Sequence, residues 1–324
     1  MRQLLRELGN GRGLSLLWGR LAQSLPVLLF ATFVAFGLLK LVPGDIAVTL
    51  AGDNASDARI AEIRQLYGLD RSFFVQYFSW LTDAVQGNLS RSLLSGEEVA
   101  TSIARSLPHT LLIVVMALVL AFAVGAPLGI LAAAHQGRGL DRVLMALSSL
   151  GVAVPNFWLA MVMIAFFALQ LGWFPVTGAV AWQDDWVSAL HHAALPAMAL
   201  AAGGIAEVAR QIRSSLAELA QSQQVRTLHA KGLSSAAILW KHGLKNVGIN
   251  LLTVLTLLAN RMLAATVVIE AVFAIPGMGS LIVGAALQRD FPVVQGVILV
   301  LVVIVLLLNL LADLLYRVID PRLH

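Results

Sequence analysis

The sequence predicts an all-α integral membrane protein of six transmembrane helices with a helical insertion on its outer face. Three observations carry this. Of 324 residues, 59% are hydrophobic and 12% charged, about half the roughly 25% charge of a soluble domain. Apolar runs long enough to cross a bilayer recur along the chain. Basic residues gather in alternate connections, as they do on the cytoplasmic side of membrane proteins. This composition excludes an ordinary cytosolic enzyme, a disordered chain and a nucleic-acid binder. The absence of cysteine excludes disulfides, a thiolate nucleophile and a cysteine zinc site.

The expected spans are 21–41, 107–133, 143–171, 193–210, 247–275 and 293–316, since a bilayer core about 30 Å thick needs about 20 apolar helical residues. The first is read as a permanent helix, because no small-residue cleavage site follows it. Residues 1–20, with Arg2, Arg6, Arg12 and Arg20 among leucines, form either a surface-lying amphipathic segment or a basic tail. The fourth span is the least apolar, with Ala and Gly through 199–204 and Glu207 and Arg210 close behind. Its small residues suit helix–helix contact rather than lipid, as do Gly125 and Gly129 in the second span.

Fourteen of the 22 Lys and Arg fall in 1–20, 138–142, 210–245 and 317–322. Both termini are therefore expected in the cytoplasm. Segment 42–106 is then outside, where its five arginines meet eight acids. Within it Ser56 caps an expected helix that Gly68 stops. Phe73, Phe74, Tyr77, Phe78, Leu81 and Val85 recur at helical spacing over 72–86. Two such helices imply a small packed cap, either structural or a receiver for a soluble partner.

Catalytic signatures are missing. None of the four lysines follows a glycine, so there is no phosphate-binding loop of the G-K-[ST] kind. His191 and His192 are about 100° apart on a helix, a poor pair of ligands for one metal. Ser148 and Ser149 have no histidine base in spans three to six. Intramembrane charge is the better lead. Arg261 lies midway along its span and faces either a partner helix or an aqueous path. Glu270, nine residues on and about 180° around the helix, does not pair with it and is expected to reach for the outer interface. Asp313, near the cytoplasmic end of the last span, reads as structural.

The polar segment 211–246 is the most informative. A short helix through Val225 and Leu228 ends at Lys231-Gly232, where glycine permits a left-handed turn. Ser234 caps the helix that follows. The result is a protruding helix–turn–helix.

This segment resembles the coupling loop of binding-protein-dependent ABC importer permeases of the dipeptide, oligopeptide and nickel branch, where R-T-A-x-A-K-G-L is typical. Arg226, Thr227, Ala230, Lys231, Gly232 and Leu233 match it. Pro43-Gly44-Asp45, Tyr67-Gly68-Leu69-Asp70, Asp141-Arg142, Pro155-Asn156-Phe157-Trp158, Pro276-Gly277-x-Gly279, Arg289-Asp290-x-Pro292 and Asp320-Pro321-Arg322 follow in that branch's order. Ile46, Leu228, His229 and Asn250 depart from it.

The resemblance implies a type I ABC importer permease-like fold in a bacterial inner membrane, with tail 317–324 and core 107–316. It implies pairing with a homologous second permease, two ATP-binding subunits and a periplasmic or lipid-anchored substrate-binding protein, within membrane lipid. The chain itself would hold no cofactor or metal and would not be an enzyme; ATP and Mg would sit on the partner ATPases. Val225, Arg226, Thr227, Ala230, Lys231, Gly232 and Leu233 would meet the ATPase. Arg261 and Asn156 are candidates for the pathway. Asp45, Glu270, Pro276, Gly277, Gly279, Arg289 and Asp290 are candidates for the outer gate or docking rim. Di- or oligopeptide is the expected cargo; nickel, a metal chelate or a glutathione-like compound is the alternative. An ion-coupled secondary transporter is the rival class, but it would need coupling carboxylates near the midplane.

Overall fold

A computed structural model describes residues 11–41, 46–51, 55–66, 68–238 and 244–319. Asp45 and its neighbours, Tyr67, residues 239–243 and the Asp320-Pro321-Arg322 match lie outside the described residues. Those described are almost wholly helical and turn, with one isolated β-bridge between Arg91 and Glu98. The chain divides into two compact units, one of residues 1–107 and 280–306, the other of 108–279 and 307–324.

In the first unit, helix α1 (Gly11–Leu41) precedes α2 (Ile46–Ala51), α3 (Asp57–Leu66) and α4 (Phe73–Val85). The two insertion helices lie where the sequence places them. Ser56 Oγ accepts the Arg59 N–H at 3.3 Å, and Gly68 adopts φ +62°. The apolar residues of α4 do not act as one stripe. Phe73, Tyr77 and Trp80, at i, i+4 and i+7, pack with Leu81 on Phe33 and Phe36 of α1. Phe33 meets Phe73 and Tyr77 edge-on, each with ring centroids 5.3 Å apart, the geometry the ring quadrupole favours. Tyr77 donates its hydroxyl to the Leu29 carbonyl at 3.1 Å, whereas the indole N–H of Trp80 is buried without a hydrogen-bond partner among the described residues. Phe74, Phe78 and Val85 remain exposed.

Helix α5 (Val99–Ala134) leads into the second unit, followed by α6 (Gly139–Ala153), α7 (Asn156–Met163) with a π-helical extension Ile164–Gln170, and α8 (Trp186–Gln221). Span 143–171 was expected to be continuous, but it bends by 96° between α6 and α7. Pro155 is the cause: it has no N–H to give and forces Val154 out of the helical region, to φ −78° and ψ 123°.

Helix α8 begins at Asp185, whose carboxylate accepts from the Val187 and Ser188 N–H groups. The Ser188 hydroxyl, more than these backbone bonds, holds that carboxyl below the usual range. The cap is therefore formed at neutral pH and lost on acidification through the lowered pKa.

The span that is least apolar in sequence is the best buried. In α8, 61% of the most apolar window is buried, against 11% for the last helix. Small residues explain this. A methyl group on Gly125 would come 2.7 Å from the Ile205 carbonyl, and one on Gly129 2.5 Å from that of Ala209. Gly204 likewise leaves room for Leu258 and Met262 of α11 (Leu244–Val272). Without side chains at these points the backbones approach closely, and packing replaces lipid contact.

Beyond α8 lie α9 (Gln223–Ala230) and α10 (Ser235–Ile238); after α11 come α12 (Met278–Leu287) and α13 (Phe291–Ile319). Two polar contacts join α11 to the end of α13. Asn260 donates to Asn309 at 3.2 Å, and Tyr316 donates to Thr253 at 2.6 Å.

Candidate coupling and translocation sites

The turn at Gly232 has the predicted geometry. Ser222 Oγ accepts the Val225 N–H at 3.3 Å and so caps α9. Gly232 turns at φ +84°, and Ser234 Oγ caps α10 through the Ala237 N–H at 3.3 Å. Val225 and Ile238 are buried, Leu233 is half-buried, and Arg226, Thr227, Ala230, Lys231 and Gly232 face outward. Apolar anchors hold the hairpin while its tip stays free.

A bidentate ion pair braces the base of this region. Arg213 of α8 donates through Nε at 2.7 Å and Nη2 at 2.8 Å to Asp141 of α6. The Gly137 N–H adds a third bond to the same carboxylate at 2.9 Å. Asp141 is one of the matched motif residues, but its partner is 72 positions away. Asp141→Asn is expected to lower the unfolding midpoint of the solubilised protein. Arg213→Lys should not preserve stability, because a lysine ammonium lacks the planar fork that holds two oxygens at once. Equal midpoints for Arg213→Lys and the unmodified chain would contradict this.

Arg261 and Asn156 line one cavity of about 190 Å³, together with Gly203, Gly204 and Glu207. Arg261 donates Nη2–H to Glu207. In the sequence Glu207 stands out only as a charge that weakens the fourth span. An acid in an Ala/Gly helix, at a depth where charge is costly, was the available signal that it has a partner. His191 and His192 hydrogen-bond separate carbonyls, of Trp173 at 2.8 Å and Ser188 at 2.8 Å. Among the described residues no group of three or more His, Cys, Asp or Glu is placed to hold a metal.

Glu270 does not reach for an interface: it is fully buried. Thr110 donates its hydroxyl to Glu270 Oε1 at 2.6 Å and accepts the Met278 N–H at 2.8 Å. Glu270's own carbonyl receives the Ile275 N–H at 2.9 Å. The carboxylate lies against Gly277 and Gly279, where a side chain would occupy its space. Four of the candidate rim residues thus share one segment: Glu270, exposed Pro276, and buried Gly277 and Gly279.

Asp290, in the other unit, is buried as well. Ser92 Oγ hydrogen-bonds its Oδ2 and the Leu93 N–H its Oδ1 at 3.1 Å. Arg289 beside it adopts φ +62° as the chain enters α13. The same unit holds a cavity of about 300 Å³ lined by Arg71, Gln76, Trp80, Asp83 and Arg91 among others.

Known proteins are similar to this chain in sequence and fold. The family described as binding-protein-dependent transport system inner membrane component matches residues 125–324, and its N-terminal counterpart matches residues 14–116. A Brucella suis chain, provisionally named a peptide transport system permease protein, is 39% identical over 96% of this chain and 99% of its own length. The oligopeptide transport system permease protein AppB of Bacillus subtilis is 34% identical over 94% and 98%. The dipeptide transport system permease protein DppB of Alkalihalophilus pseudofirmus is 35% identical over 94% and 97%.

Among solved structures, inward-facing MetNI methionine ABC transporter is similar in fold, with a TM-score of 0.56 at 21% identity, over 67% of this chain and 96% of that one. The family match, together with several apolar helices, indicates a multi-pass permease of the inner membrane. The chain belongs to the binding-protein-dependent transport system inner membrane component family, the permease subunits of such importers.

Proposed function

We propose that this chain forms half of the translocation pathway of an ATP-driven importer of di- or oligopeptides, with both termini cytoplasmic. The observation that carries the reading is the doubly capped helix–turn–helix at Gly232, anchored by Val225 and Ile238 with its basic tip exposed. Its rigidity suits a lever that receives motion from another subunit. Val225, Arg226, Thr227, Ala230, Lys231, Gly232 and Leu233 form the contact with a separate ATPase that holds ATP and Mg. The peptide cargo is supported by the names of relatives matching nearly the whole chain.

Four helices are long and apolar enough to cross a membrane, and the bent pair α6–α7 makes five. The shorter apolar stretch Ala22–Leu38 within α1 completes the six-span arrangement. Segment 42–106 then lies outside. Its Asp290-tethered loop belongs to the rim on which a binding protein docks; the Glu270 knot, in the other unit, is assigned by itself to the outer gate.

The test is affinity purification of the tagged chain from gently solubilised native membranes, with its companions identified by mass spectrometry. A second permease and ATPases bearing phosphate-binding loops are expected. Recovery of the chain alone, in a detergent that preserves such complexes, would transfer the weight to an ion-coupled transporter.

A further inference from the structure

Two ion pairs are built on α8, and they are built differently. Arg213 grips Asp141 with two nitrogens, and the Gly137 N–H completes the carboxylate's shell; the Asp141 side chain is 4% exposed. Arg261 gives Glu207 a single N–H, and among the described residues neither of those side chains has a further hydrogen-bond partner. Their exposures are 61% and 29%. A guanidinium carries five N–H donors, so most of Arg261's capacity is unspent. It opens on the cavity of about 190 Å³, opposite Asn156 and Gly203. A pair that served only to staple α8 to α11 would be closed, as Asp141–Arg213 is. Charge at this depth is costly, and an open pair here calls for a ligand.

We propose that Glu207 and Arg261 receive the two charged ends of a short zwitterionic solute in passage, Glu207 taking the ammonium and Arg261 the carboxylate. This rests on the peptide-permease reading above. The resting pair is neutral and a zwitterion adds no net charge, so one ion pair is exchanged for two. A solute with one end capped leaves one protein charge without its counter-ion, which is less favourable than two complete pairs. Two extended residues span about 7 Å, enough for a dipeptide to touch both groups once they part. The planar guanidinium fork suits a carboxylate.

The experiment uses the complex purified with its partner subunits and reconstituted with its own binding protein. Uptake of dialanine, N-acetyl-dialanine and dialanine amide is compared between the unmodified complex and variants. The binding protein is the same throughout, so its own preference cancels between them. Arg261→Gln should narrow the preference for dialanine over its amide by about tenfold or more, and Glu207→Gln should do the same against the acetyl form. The double variant Arg261→Gln/Glu207→Gln keeps a hydrogen-bonded contact without charge and should lose both preferences. Unchanged preferences in variants that assemble would overturn the proposal. So would assembly rescued only by the charge reversal Arg261→Glu/Glu207→Arg, which would mark the pair as a staple. Absence of dialanine uptake by the unmodified complex would instead remove the peptide reading, and this inference with it.

Discussion

Gly277→Ala is expected to lower the stability of the chain by about 3–5 kcal/mol, combining an overpacked core with a disturbed hydrogen bond to a buried carboxyl group. The added methyl would fall on the carboxyl group of Glu270. That side chain has nowhere to withdraw. It is fully buried and held by the Thr110 hydroxyl at 2.6 Å. Thr110 in turn receives the Met278 N–H at 2.8 Å, so moving the carboxylate disturbs the chain just past Gly277 as well. A loss of this size is a large part of the roughly 5–15 kcal/mol that keeps a typical domain folded. A lower unfolding midpoint in detergent and less protein in the membrane should both be seen. The paired change Gly277→Ala/Glu270→Ala removes the collision and should recover part of the midpoint. An unshifted midpoint for Gly277→Ala alone would refute the knot as described.

Gly232→Arg should do the opposite, sparing the fold and abolishing transport. Nothing lies within 4 Å of where its Cβ would sit, so no packed neighbour is displaced. The cost within the chain is the left-handed backbone at φ +84°, about 1–2 kcal/mol for a residue with a side chain, and it falls at an exposed turn. What changes is the contact surface: a long cation projects from the tip that is proposed to seat on the ATPase. The variant should accumulate normally, with uptake reduced at least about tenfold and less ATPase recovered with it, a loss that needs only about 1.4 kcal/mol of docking energy. Gly232→Asn is the control, because asparagine tolerates this conformation and is short; it should retain most uptake. Full-rate uptake by Gly232→Arg would sink the coupling assignment.

Much of the local structure was legible from residue order. Ser56, Gly68, Gly232 and Ser234 are short-range signals, each read by a backbone group within four residues, and the helix ends fall at or beside them. The expectation that 193–210 packs on protein also held, because Ala and Gly state their purpose by size. The same reading took Pro155 as mid-span, although its missing donor and the extended Val154 turn the chain sharply there. It sent Glu270 toward an interface because periodicity measures direction around a helix and says nothing of what covers it. The coupling-loop residues were identified by resemblance and their turn by geometry, whereas Arg213 was read only as one more cytoplasmic charge.

By itself the sequence determined that this is a membrane protein, where its apolar helices run, and that its basic loop forms a capped helical hairpin. Each of these depends on composition or on contacts a few residues apart. Only the tertiary structure decided which polar side chains meet: Asp141 with Arg213, Glu207 with Arg261, Glu270 with Thr110. These partners are 72, 54 and 160 positions apart, and no periodicity links them. The pairing of intramembrane charges follows from which helices can approach closely. That depends on the glycines at 125, 129 and 204, where the absence of a side chain lets one backbone lie against another.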